Sequence, residues 1–234
     1  MIHLRIADRQ GFAWAQRQVA QHHYLRAPVD SRCSPLAYLV ELDGIDFPVG
    51  CLIVGRPEAT RCYDGRLTYG SLRDVRSGRA EYDRWEVLNL ARVWLSPRVQ
   101  RGGDLFATGY VPLFVDRRNV ARSTLASDAI RLLLERVNYD YLRARPPVYP
   151  DEPYQIKVLL SYCDTRLHKG TIYRAAGWEL ARTNAGGIQT WCSPAVAPLS
   201  NYEDDMIRKL ASQAWRSRRY RARRADQEVQ ERFV

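Results

Sequence analysis

Residues 156–182 read IKVLLSYCDTRLHKGTIYRAAGWELAR, and this stretch decides the fold. From Ile156 to Cys163 runs a short, unbroken apolar segment, the pattern of a strand buried on both faces. A polar loop follows. The run through Ala176 then makes a short helix closed by Gly177, and a new strand starts at Trp178. Upstream, residues 123–142 (STLASDAIRLLLERVNYDYL) carry Ala126, Ile130, Leu133, Leu134 and Val137 on one stripe, which predicts a long amphipathic helix opened by Ser123. Prolines 146, 147, 150 and 153 end that region. Before the helix, residues 85–95 (WEVLNLARVWL) alternate as a strand stopped by Pro97. Strand, long helix, buried strand predicts two parallel neighbours joined by a right-handed crossover.

The outer elements complete the pattern. Residues 8–25 read as a helix capped by Asp8, with Phe12, Ala15, Val19 and His22 at helical spacing, and it delivers His22-His23-Tyr24 at its C-terminal end. Runs 36–42 and 48–54 flank Asp43-Gly44 as a hairpin. Residues 55–84 and 98–122 are polar or irregular and read as loops, the first with at most one short strand. After the strand at Trp178, Gly186-Gly187 turns the chain into a last strand, IQTWCS. The sum is an α+β domain with a mixed sheet flanked by helices.

Composition narrows the functional class. The 234 residues are 46% hydrophobic and 26% charged, enough apolar surface for one sizeable core. No run approaches the roughly 18 apolar residues of a membrane span, and the N-terminus has no leader pattern, so a cytoplasmic protein is expected. The five cysteines form no CxxC pair, which excludes a zinc ribbon and a disulfide framework. The net charge is +10, and 33 of the 36 basic residues are Arg. A surplus of that size draws polyanions, nucleic acid first. Its densest stretch is residues 208–224, where eight of seventeen are Arg or Lys, within a helix-prone extension over 201–234 in which Arg216, Arg218, Arg219, Arg221, Arg223 and Arg224 interleave with Trp215 and Tyr220. That pattern suits either a DNA-binding arm or a solvated surface helix.

The order of elements resembles the GNAT acyltransferase fold, and Tyr173-x-x-x-Gly177-Trp178 is similar to that family's tyrosine before a Gly-aromatic pair. The resemblance implies a phenol that protonates a departing coenzyme A thiolate. The family's phosphate loop is only partly matched. Gln100-Arg101-Gly102-Gly103-Asp104-Leu105 supplies the Gln and a Gly, with Leu105 in place of the last small residue, and the helix entry is Asn119 to Ser123, with Arg118 and Arg122 for charge. Arg118, Asn119, Arg122 and Ser123 are therefore the expected acetyl-coenzyme A contacts, Ser123 being first of all a helix cap.

A narrower resemblance rests on Ser161-Tyr162-Cys163-Asp164 and His168-x-Gly170-Thr171-Ile172-Tyr173-x-Ala175. These runs resemble the Mom family of phage DNA-modification proteins, as do His23-Tyr24, Leu88-x-Leu90-x-Arg92 and Asn119 to Ser123 in the same order. The resemblance spans about residues 19–182; the insert near 98–117 and the basic tail lie outside it. The composition change at Asn201 bounds a catalytic domain over 1–200, and the resemblance implies that it adds a carbamoylmethyl (acetamido-type) group to the exocyclic N6 amine of adenine, shielding phage or mobile-element DNA from restriction nucleases. The donor it implies is acetyl-coenzyme A or a relative, and iron is a second cofactor that it raises. The other readings are an N-acyltransferase for a small amine or protein, and a non-catalytic DNA-binding protein on the same fold.

Residue by residue, Tyr173, Asp164 and His168 are the catalytic candidates. Asp164 is a base, a metal ligand or a cap on the next turn; His168 is a base, a ligand or a phosphate contact. Arg92, Ser161, Gly170 and Thr171 are substrate-binding candidates, and Arg92 either pairs with a carboxylate such as Glu86 or receives an anion. His23, Tyr24 and Asp164 form the metal set to test. Cys163 reads as a buried small residue rather than a nucleophile.

Overall fold

A computed structural model describes all residues except 60, 61, 63–66, 101, 102, 108–112, 116–120, 148–154, 233 and 234; for 113–115, 121, 122 and 226–232 it describes the backbone alone. The elements, in chain order, are β1 (Ile2–Ile6), α1 (Arg9–His22), β2 (Leu36–Leu42), β3 (Gly50–Gly55), β4 (Tyr69–Gly70), α2 (Leu72–Arg76), β5 (Tyr82–Asp83), β6 (Val87–Leu95), α3 (Asp104–Ala107), β7 (Leu113–Val115), β8 (Ala121–Ser123), α4 (Leu125–Ala144), β9 (Val158–Asp164), α5 (Thr171–Ala175), β10 (Glu179–Thr183), β11 (Ile188–Cys192) and α6 (Asn201–Arg232).

Seven strands form one mixed sheet in the order β1-β2-β3-β6-β9-β11-β10. Every neighbouring pair is antiparallel except β6 and β9, the parallel pair expected from the strand–helix–strand stretch. Helices cover both faces. Leu125, Ala129, Ile130, Leu133, Val137 and Tyr141 of α4 pack with Tyr38, Leu52, Leu88 and Leu159. On the other face Ala15 and Val19 of α1 pack with Ala37, Leu39, Cys51 and Ile53.

Sequence and structure part in five places. The stretch 55–84, read as loop with at most one short strand, holds β4, the capped helix α2 and β5. The first strand, β1, was not expected; its short run pairs in register with β2, from Ile2 opposite Leu42 to Ile6 opposite Tyr38. The long helix starts two residues later than Ser123. Ser123 ends β8, its Oγ accepting from the Leu125 N–H at 3.2 Å, and Thr124 occupies the cap position. The stretch read as irregular holds a 3-10 turn at Pro97–Val99, α3 and the β7–β8 hairpin. Finally, the basic extension is docked at its root. Ile207 and Ala211 are buried, Ile207 within the main core. The apolar stripe then ends at Ala214, and Arg218 and Arg221 take the next places on it. From Trp215 to Ala225 every residue is exposed, so the second half of α6 leaves the body.

Two features shape the centre of the sheet. Arg92 lies opposite Ile53 and Leu90 opposite Val54, so Ala91 is an extra residue in β6. This bulge reverses the alternation. Leu88 and Leu90 face α4, and beyond the bulge so do Val93 and Leu95, while Ala91 and Trp94 turn toward α1. The second feature is a fork. β6 and β9 pair only from Val87 with Val158 to Asn89 with Leu160, yet both strands run on.

Candidate functional site

The fork opens into a cavity of about 550 Å³. Its floor comes from the diverging strands, Ala91 to Leu95 of β6 (without Arg92) and Tyr162 and Cys163 of β9. The end of α1 supplies His22, His23 and Tyr24, and the turn into α5 supplies His168 to Tyr173. Two segments about 145 positions apart thus meet across one opening, and both carry sequence-expected residues. The rings of Tyr24 and His168 lie 5.0 Å apart, and those of His23 and Tyr24 4.3 Å apart.

Tyr173 projects into this cavity from α5, whose entry depends on Gly170. There φ is +65°, and a Cβ would sit 2.4 Å from the buried Trp191 ring. Gly170 is therefore needed by packing and backbone conformation, whatever it contacts in a ligand. Burial pushes the Tyr173 phenol up, so it carries its proton at every physiological pH. Its hydroxyl is 2.8 Å from Ser161 Oγ, and the same Oγ donates to the Leu90 carbonyl at 2.8 Å. Ser161 is buried and lies behind the cavity surface. Thr171, the first residue of α5, lines the opening and is exposed.

His23 caps the end of α1. Burial first, then Arg92 and His168, lower it to about 4, so it is a neutral imidazole in the cavity wall. Its Nδ1 accepts from the Leu25 N–H at 3.3 Å, which leaves Nε2 as the protonated nitrogen. Burial also raises the Tyr24 and Cys163 hydrogens' pKa, keeping both in their neutral forms at neutral pH, and the Cys163 thiol donates to the His168 carbonyl at 3.4 Å. Arg92 is half-buried; its Nη1 donates to the Ala91 carbonyl at 2.7 Å, and its buried Nε has no hydrogen-bond partner. Glu86 is not its partner, because that carboxylate takes Lys157 Nζ at 2.7 Å.

Asp164 behaves as the cap among its three sequence readings. Oδ1 accepts the Arg166 N–H and Nε at 3.0 Å, and Oδ2 accepts Nη2 at 2.6 Å. The Arg166 guanidinium and N–H hold its carboxyl down to about 2, and Asp164 is not part of the cavity lining. A carboxylate so held is a weak base. The metal set is corrected for a related reason. With Asp164 committed to Arg166, His23 and Tyr24 have no carboxylate to complete them, and among the described residues no group of three His, Cys, Asp or Glu is placed to hold an ion. Iron does not fit these side chains.

Arg118 and Asn119 lie outside the described residues, as does the side chain of Arg122. Missed in the sequence were Trp94, stacked on His22 at 5.8 Å, and Lys169, both on the cavity wall. The bulge at Ala91 hid Trp94 by turning it to the face that alternation assigns to its neighbours.

No protein-family model matches the chain, and no curated protein matches it. Solved structures do. The spermidine/spermine N-acetyltransferase SpeG of Vibrio cholerae is 10% identical over 82% of this chain and 92% of that one, with a TM-score of 0.39. A domain from Methanocaldococcus jannaschii is 8% identical over 82% and 97%, with a TM-score of 0.39. A Desulfovibrio desulfuricans protein assigned to the GNAT acetyltransferases is 12% identical over 82% and 96%, with a TM-score of 0.37.

Proposed function

We propose that the protein is a GNAT-type transferase that modifies the exocyclic N6 amine of adenine in DNA. The cavity carries this reading. It is walled by Tyr24, Trp94, Tyr162 and Tyr173, lined by His22, His23, His168 and Lys169, and holds no carboxylate among the described lining residues. Such a wall suits a flat, neutral heterocycle attached to an anionic backbone. For a cationic polyamine it offers no carboxylate counterion among the described lining residues, and Lys169 adds like charge. An aromatic exocyclic amine is also neutral at physiological pH, so no strong base is needed to deprotonate it before attack. That agrees with a site whose His23 and Asp164 are both weak bases.

Tyr173 is the proton donor in this reading, because burial keeps its phenol protonated until a leaving group accepts the proton. A thioester donor such as acetyl-coenzyme A fits the fork. Past Asn89 and Leu160 the facing edges of β6 and β9 have no strand partner among the described residues, and an amide-bearing arm can pair with them. The arginine-rich half of α6 would hold the phosphate backbone. The choice of adenine rests on the Mom-like residues Ser161 to Ala175; transfer of the acyl group itself gives an N6-acyl adduct, and a carbamoylmethyl product would need a donor that also supplies the amide nitrogen.

Mass spectrometry of nucleosides from DNA of cells expressing the protein tests the reading. A new deoxyadenosine adduct is expected, absent with Tyr173→Phe. An unmodified nucleoside pool from cells containing folded protein would overturn it.

A further inference from the structure

The Ser161 hydroxyl is shared between two acceptors, and its one hydrogen can serve only one of them at a time. The Leu90 carbonyl can only accept. It lies at the fork, where β9 has moved away and left it without a strand partner on that side. With Ser161 donating to Leu90, the 2.8 Å contact to Tyr173 requires the phenol to donate to Ser161 Oγ. In that arrangement the Tyr173 proton points away from the cavity. If the Ser161 hydroxyl turns toward Tyr173 instead, the phenol hydrogen is released to the cavity and the phenol oxygen gains a donor.

We propose that Ser161 is a positioning residue for proton donation by Tyr173: its hydroxyl swings from the Leu90 carbonyl to the Tyr173 oxygen as that oxygen gives up its proton. The inference rests on the acid role given to Tyr173 above and adds the group that makes it workable. Tyr173 and Ser161 are both buried, and Ser161 Oγ occupies the side of the phenol oxygen away from the cavity surface. A phenolate formed there needs a donor already in place, which only Ser161 supplies among the described hydrogen-bond partners. The proton count closes. The acceptor nitrogen bonds to the transferred carbon and loses a proton to the cavity. The carbon–sulfur bond of the thioester breaks, and the thiolate takes the proton from Tyr173. Tyr173 then regains a proton from the cavity, and Ser161 returns to Leu90. The fork explains the arrangement: the Leu90 carbonyl gives the serine a resting partner, and rotation of one hydroxyl exchanges it for the phenolate, a stronger acceptor that offsets the bond given up.

Two measurements on the full chain test this. The first needs no substrate. With tyrosine labelled at the ring carbon bearing oxygen, the Tyr173 NMR signal is identified by its loss in Tyr173→Phe. Ser161→Ala should shift that signal and Ser161→Thr should largely restore it; an unmoved signal in Ser161→Ala overturns the hydrogen-bond premise. The second is kinetic, with acetyl-coenzyme A and duplex DNA. Ser161→Ala should lower kcat at least tenfold with the KM for donor nearly unchanged, Ser161→Thr should recover most of it, and Ser161→Ala should cost almost nothing further in a Tyr173→Phe background. An equal loss in that background overturns the proposal. If the NMR shift appears while no variant, wild type included, modifies DNA, the failure belongs to the adenine reading; a donor-hydrolysis assay with the same three variants then decides the serine's role, and an unchanged rate in Ser161→Ala counts against it.

Discussion

Asp164 and Arg166 close on each other across a single intervening residue, with carboxylate oxygens 2.6 and 3.0 Å from the guanidinium and the Arg166 N–H also 3.0 Å away. The Asp164 carbonyl accepts from Leu167 and His168 N–H groups, so the same residue organises the whole loop that brings His168 to the cavity. This places Asp164 among the positioning residues. Asp164→Asn keeps an oxygen for the Arg166 N–H, whereas Asp164→Ala keeps none. Adduct formation should fall about tenfold or more in Asp164→Ala and only a few-fold in Asp164→Asn. Equal, near-complete loss in both variants would restore the general-base role.

His23 gives the protein an acid-sensitive flank. Its folded-state value of about 4 lies below the ordinary 6.5, so between these values the unfolded chain binds the extra proton. The neutral form favours folding. Its contribution is complete above about pH 6.5 and disappears as pH falls toward 4. Melting temperature measured from pH 7.5 to 4 should therefore drop less steeply in His23→Gln than in the wild type. Parallel curves would show that His23 titrates normally.

Gly170 is the residue on which Tyr173 depends for its placement. A side chain there meets both a left-handed backbone and the Trp191 ring. Gly170→Ala should lose about 2–4 kcal/mol in denaturant unfolding, from backbone strain plus overpacking. Gly78 has φ +73° with nothing near its absent Cβ, so Gly78→Ala carries only the backbone part and should cost about 1 kcal/mol. Similar losses at both positions would mean that Trp191 yields freely.

Much of the fold was legible because its decisive segments obey one periodicity each. The stripe of α4, the apolar run of β9 and the Asp43-Gly44 turn all fall where local pattern puts them. The parallel pairing of β6 with β9 follows from their order. What the pattern hid depends on distant partners. β1 has five residues and becomes a strand by pairing with β2. The bulge at Ala91 changes which residues face the cavity, and a period of two does not register it. Part of the candidate set shares one place: His23, Tyr24, His168 and Tyr173 all line the cavity. The roles of Asp164 and Ser161 were not legible, since a short motif does not say which of its polar groups are already engaged. Arg166 and Leu90 decide that, through contacts that no spacing in the sequence marks.

The two halves of α6 should separate in experiment. Its root is part of the core: Ile207 is fully buried and Ala211 nearly so. Deleting 201–234 strips these contacts and should destabilise the body by at least about 2 kcal/mol, the usual value of one buried aliphatic side chain. Deleting only 215–234 removes exposed helix and should leave the melting temperature unchanged. The shorter deletion still takes Arg216, Arg218, Arg219, Arg221, Arg223 and Arg224. At 100° per residue these spread around the whole helix, so no protein face can cover all of them. Arg216 and Arg221 reach back to the Ser212 and Ser217 carbonyls, and Arg219 lies over Trp215 at 4.7 Å. These contacts lay the three side chains along the exposed helix. Each phosphate neutralised on duplex DNA adds about 0.9 to the slope of log affinity against log salt, so losing most of these arginines should flatten the slope by about 3–5. Base preference should survive, because backbone contacts position a protein without reading sequence. Binding isotherms at four salt concentrations, for the full chain and the chain ending at Ala214, give both numbers. An unchanged slope would assign the arm to something other than DNA, and a fallen melting temperature would show that the outer half also supports the fold.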